Sequence, residues 1–274
     1  MQPILETLGV ILLSVIGLLA GIYATRMRTR YWLCFYCVTV LLALSVAAAR
    51  KFVFLAEYAP FSWVISGRNE FVVLALSVPM MFATLIPKLK YRREKYLIGT
   101  LLFFASCYCF VYPFLAPAFV LNRHKQMETF IAPDGVCFQR YSYDCGPAAA
   151  VTALRELGIE AEEGPIAVAA YTTPIYGTTE TLLTEAINKL HCPDVISYFR
   201  YFNTIDEIKG LCPVIAVVKY GFLVDHYVTV IEVQQDKIIV GDPLQGRVEM
   251  TPDEFKSKWR FSGIIVKRTG TQSQ

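Results

Sequence analysis

The sequence contains no GxxxxGK(S/T) phosphate loop, so no ATP motor is built into it, which argues against a complete transporter on this chain. It has no internal repeat and no low-complexity tract, apart from a polar tail after Lys267 that is expected to fray. Histidine is scarce, with 3 in 274 residues, and His191-Cys192 and Cys212 form no recognised zinc-ligand spacing. No metal or other cofactor is expected. Charged residues make up only 18% of the chain and their signs are segregated: residues 1–127 hold 13 Lys and Arg against 4 Asp and Glu, whereas residues 128–274 hold 13 against 19. The second half is acidic and the cations of the first half cluster beside apolar runs, so no nucleic-acid partner is expected.

Apolar side chains are abundant instead, at 55% of residues, more than a soluble domain normally carries. Four runs approach the roughly 20 residues needed to cross a bilayer core: Ile4–Ala24, Tyr31–Ala49, Phe71–Ile86 and Tyr96–Leu121. Each is expected to span the lipid bilayer. The first is not expected to be a cleaved signal peptide, because Glu6 stands where a basic region belongs and Arg26, Arg28 and Arg30 follow the run. The third carries Pro79, and the connector Lys51–Ser66, broken by Glu57 and Pro60, reads as interfacial. Gly17 and Gly21 fit the GxxxG helix-contact pattern.

The division expected is therefore a transmembrane domain of four helices, 1–127, followed by one folded domain, 128–274. Arg26, Arg28 and Arg30 after the first run, with Lys88, Lys90, Arg92, Arg93 and Lys95 after the third, outnumber Arg50, Lys51 and Arg68 after the second. Cations are retained on the cytoplasmic side, so both termini and the second domain are expected on the extracytoplasmic face. Cys34, Cys37, Cys107 and Cys109 lie within spans and read as packing residues; Cys137, Cys145, Cys192 and Cys212 lie in the second domain, where an outside location permits a disulfide.

In the second domain, helices are expected at Gly146–Leu157, with Pro147 in its first turn and Gly158 at its stop, at Ile166–Tyr171, and at Thr179–Leu190, with an apolar stripe of Leu182, Leu183, Ala186, Ile187 and Leu190. Strands are expected at Val195–Tyr201, Pro213–Tyr220, His226–Val233, Lys237–Asp242, Arg247–Met250 and Gly263–Lys267, with a short helix Pro252–Trp259. Helices followed by an antiparallel sheet define an α+β domain.

Cys145 stands at the start of the first of these helices, where exposed N–H groups favour a thiolate. Such a nucleophile needs an imidazole. His124, at the end of the last apolar run, and His191, at a helix end, read as surface residues, which leaves His226 as candidate base. A hairpin turn centred on Gln234 sets position 226 opposite Asp242, a candidate orienting carboxylate, and a one-residue change in turn centre makes the pair diagonal but still within reach. An ordinary surface His–Asp pair is the other reading of that spacing. Gln139 supplies an amide able to donate to an oxyanion, and by itself it also reads as a loop residue.

Taken together, Gln139 with Asp144-Cys145-Gly146-Pro147-Ala148, Asp225-His226-Tyr227, and, sixteen residues after the histidine, Asp242 within Val240-Gly241-Asp242-Pro243 resemble the bacteriocin-processing peptidases. These are papain-like cysteine peptidases that remove double-glycine leaders. The intervening GTTETLLTEAINKL is similar to a Gly-Thr-containing helix of that family. The resemblance, over about Cys137–Lys267, implies hydrolysis of a peptide or protein substrate, after small residues such as Gly-Gly, with Cys145 as nucleophile, His226 as base, Asp242 as orienter and Gln139 in the oxyanion hole. The typical member's peptidase precedes its membrane segment and the ATPase of an ABC exporter, whereas here it follows four apolar runs; any ABC-type exporter would be a separate partner. A peptide-docking module without catalysis and an acyltransferase or amidase using the same triad are the alternatives.

Overall fold

The computed structural model describes residues 2–27, 31–51, 69–221 and 224–269. The connector read as interfacial and most of the polar tail lie outside them. The chain separates into two compact units, Met1–Phe119 and Val120–Gln274.

The first unit is helical: α1 (Gln2–Thr25), α2 (Tyr31–Lys51), α3 (Asn69–Leu85) and the greater part of α4 (Arg92–Lys125). Three stretches, Ile4–Thr25, Phe71–Lys88 and Arg92–Lys125, are long and apolar enough to cross a membrane, while the apolar part of α2, Trp32–Val46, is shorter. α1 and α3 approach closely because Gly17 and Gly21 face the α3 backbone: a Cβ on Gly21 would lie 2.5 Å from Met80 O and 2.7 Å from Ala83 Cβ. α4 passes through a π-helical turn, Cys107–Val111. Pro113 follows at once, and the wider turn relieves the clash of its ring with a carbonyl one turn back. Cys34, Cys37, Cys107 and Cys109 are exposed on their helices, so the packing role expected of them gives way to an outward-facing one suited to lipid.

The second unit opens with a two-stranded ribbon, β1 (Phe130–Ile131) and β2 (Cys137–Phe138), which the sequence pattern did not reveal because each strand is only two residues long. Then come α5 (Cys145–Glu156), α6 (Glu163–Ala169) and α7 (Glu180–His191). The strands are β3 (Val195–Tyr201), β4 (Val214–Gly221), β5 (Val224–Val233), β6 (Ile238–Asp242), β7 (Gly246–Met250) and β8 (Trp259–Arg268), with α8 (Pro252–Lys258) before the last. They form one antiparallel sheet in the order β3-β8-β4-β5-β6-β7.

Strand alternation divides the core. Ile215, Val217, Tyr227, Ile264 and Val266 pack in one cluster with the alanines of α5 and with Leu183, Ala186 and Ile187 of α7, whereas Val214, Ala216, Val228, Val230 and Ile265 pack in the other with Phe255 and Trp259. Leu190, assigned to the α7 stripe, is exposed in the last turn. The helix expected at Ile166–Tyr171 starts earlier, at Glu163, with Pro165 in its first turn, and stops before Tyr171, whose φ is 52°.

Candidate active site

α5 is buried from Cys145 to Leu154, which its small side chains allow: Thr229 Oγ1 on β5 donates to Ala149 O at 2.7 Å, so helix and sheet approach at backbone distance. This contact fixes the helix start against the end of the sheet. Gly146 fits closely there, since a Cβ would sit 3.1 Å from Thr178 Cβ and push that side chain by a few tenths of an ångström.

His226 and Asp242 meet as the diagonal pair, the second of the two arrangements expected for this hairpin. Next to the turn Val233 faces Ile238 and Glu232 faces Ile239; beyond a bulge between Val230 and Glu232, Val230 faces Val240 and Thr229 faces Gly241. Continued along the strands, this register places Val228 opposite Asp242. His226 reaches Asp242 diagonally, with Nε2 2.9 Å from Oδ1. Both side chains are buried. The carboxylate also accepts from Leu244 N–H at 2.8 Å and from Gln245 Nε2 at 3.2 Å, an amide the sequence pattern had not singled out. Burial opposes ionisation of Asp242, but the hydrogen bonds from His226 and Leu244 prevail and hold it below the usual carboxylate range.

The thiol of Cys145 lies against the same imidazole. Burial resists the charged form of His226, yet Asp242 and Cys145 together push its pKa up to about 9. The ring of Tyr220 stands 5.5 Å from that of His226, and its side chain is exposed. Gln139 is held by two bonds: its N–H donates to Pro243 O at 3.1 Å, next to Asp242, and its Nε2 donates to Tyr141 O at 2.8 Å. One amide N–H of Gln139 remains beyond the bond to Tyr141. The structure thus gathers Cys145, His226 and Asp242, and ties Gln139 to the Asp242 turn.

The other two histidines differ from one another. His191 is half-buried at the end of α7. His124, read as a surface residue, is buried, because the last turn of α4 packs under α6: a Cβ on Gly164 would lie 2.5 Å from His124 O. All eight cysteines are free.

An α+β domain whose first long helix begins at Cys145 and packs on an antiparallel sheet has the papain-like fold of cysteine peptidase domains. Residues 135–271 match the Peptidase C39 family, and the chain belongs to it. Over 146 residues it is 29% identical to an uncharacterized protein of Methanothermobacter marburgensis, covering 52% of this chain and 94% of that one. Among solved structures it is similar to the peptidase domain of Streptococcus ComA, described as a bi-functional ABC transporter involved in a quorum sensing pathway, with 22% identity, 51% of this chain and 96% of that chain covered, and a TM-score of 0.42. It is also similar to a double glycine motif protease from an AMS/PCAT transporter in complex with its leader peptide, with 16% identity, 53% and 100% covered, and a TM-score of 0.42.

Proposed function

We propose that this protein is a membrane-anchored cysteine peptidase, with Cys145 as nucleophile, His226 as acid and base, Asp242 as orienter and Gln139 as oxyanion donor. The observation that carries the reading is the imidazole of His226, held 2.9 Å from Asp242 on one side and against the Cys145 thiol on the other.

The chemistry follows from these positions. The sulfur of Cys145, its proton passed to His226, attacks the scissile carbonyl carbon, and the charge developing on oxygen is met by Gln139 and the N–H groups heading α5. As the C–N bond breaks, the imidazolium returns its proton to the leaving amine. Water then attacks the thioester, giving a proton to His226, and the C–S bond breaks to free the acid. With a value near 9, His226 holds its proton at neutral pH until the amine takes it. Asp242 keeps the ring oriented throughout.

The substrate is a peptide or protein, and cleavage after small residues such as Gly-Gly is the family's precedent. Four spans and an extracytoplasmic peptidase domain complete the proposal, on the apolar lengths and on the clustering of cations. In the purified protein, an electrophilic thiol-protease probe is expected to label Cys145, and His226→Ala is expected to slow labelling by about 100-fold, the scale of a lost general base. Equal rates at neutral pH would reduce Cys145 to an accessible thiol.

A further inference from the structure

The second unit holds another buried imidazole and carboxylate that the peptidase chemistry does not use. His124 Nε2, on the last turn of α4, lies 3.6 Å from Asp144 Oδ1, and the two side chains are 2% and 0% exposed. Neither oxygen of Asp144 nor His124 Nε2 has a hydrogen-bond partner among the described residues. Asp144 occupies the N-cap position of α5, where an aspartate ordinarily accepts from a first-turn N–H. Here it makes no capping bond, although its neighbour in sequence is Cys145. The helix-head N–H groups are thereby left to the reacting carbonyl, and a carboxylate is buried one residue before the thiol in sequence. An uncompensated charge there would oppose ionisation of the sulfur.

We propose that His124 is a positioning residue for the nucleophile: its imidazole, seated 3.6 Å from Asp144, screens that carboxylate from the Cys145 thiol. The proposal rests on Cys145 being the nucleophile. Other groups near Asp144 do not take this role. Tyr143 is a neighbour that carries no positive charge, and Arg123, over the ring of Tyr141 at 5.3 Å, is exposed, so solvent weakens its field. Glu163 also faces Asp144, but burial pushes its carboxyl up to about 8, the N–H of Arg140 opposing, so it stands mainly uncharged at pH 7. On the far side of the thiol stand His226 and Tyr227, already part of the site. His124 is the buried basic side chain beside Asp144. It is held there by the close approach of Gly164 to its carbonyl and by the ring of Tyr143, 5.9 Å away.

The test is the pH dependence of iodoacetamide alkylation at Cys145, read by mass spectrometry of the peptide containing it, in the full chain in detergent. Wild type is compared with His124→Gln, Asp144→Asn and the double variant. His124→Gln is expected to move the curve up by about one pH unit, roughly a tenfold loss of rate at pH 7, as a unit charge at short range would. The double variant is expected to return to the wild-type curve or below it, and Asp144→Asn alone to do the same. A His124→Gln curve superimposed on wild type, or a shift that persists in the double variant, overturns the proposal. If His124→Gln does not accumulate, the other two variants decide, since a curve at higher pH than wild type in either one overturns it. Failure of the peptidase reading is separate: wild type and His226→Ala would then alkylate alike, whatever the His124 variants do.

Discussion

Glu163 shows how one buried acid sets a pH limit on this fold. It heads α6 with its side chain buried, and only one of its oxygens has a partner, Oε1, which accepts from Arg140 N–H at 3.3 Å. Burial raises its pKa from 4.5 to about 8, so the native state binds the proton more tightly than the unfolded chain does. Its stabilising contribution is complete below pH 4.5 and is lost as pH rises through 8. Glu163→Gln keeps the acceptor for Arg140 and has no proton to lose. In denaturant unfolding the variant is expected to match wild type at pH 4 and to exceed it at pH 9 by several kcal/mol, at most about 5. Equal stability at pH 9 would show that the carboxylate finds solvent when it ionises.

At the level of elements, β3 and α7 could be read from the sequence because strand alternation and a Thr cap before an apolar stripe are local signals. The His226–Asp242 pairing was legible only approximately. The turn falls at Gln235-Asp236, between Gln234 and Lys237, and the bulge between Val230 and Glu232 shifts the pairing beyond it by one residue on one strand; such a bulge has no local signature in a run of β-branched residues. The position of His124 was not legible at all, since its burial depends on α6, distant in sequence, packing on it through Gly164. An apolar run ending in Arg123, His124 and Lys125 looks like a membrane exit, yet residues from Val120 onward belong to the second compact unit. We therefore expect a fragment 120–274 to be the better-folded peptidase, and a fragment 128–274, cut at the boundary of charge and composition, to lose the turn that covers Asp144 and Glu163. The shorter fragment is expected to melt about 5 °C lower, the scale of one to two kcal/mol in a domain of this size. Identical melting curves would mean that the last turn of α4 contributes nothing to that unit.

For the whole molecule the side on which the peptidase works is a question of parity, and α2 decides it. Its most apolar stretch, Trp32–Val46, is short, but the helix runs 21 residues, Tyr31–Lys51. At 1.5 Å per residue that is about 31 Å, the thickness of a bilayer core. Four crossings return the chain to its starting side, whereas three would leave the peptidase opposite the N-terminus. With four crossings, the cations near Arg26 and between Lys88 and Lys95 are expected to mark the cytoplasmic face, which would set Cys145 outside. An outside location would expose thiols to oxidation, and two of them resist it: burial pushes Cys137 far up and the half-buried Cys212 up to about 11, so little thiolate forms at either. A reporter fused after Lys267 is expected to be active only outside, and one inserted at Leu89, between the third and fourth spans, only inside. Both reporters active inside would mean that α4 does not cross, and a reversal of both would overturn the orientation while keeping that crossing.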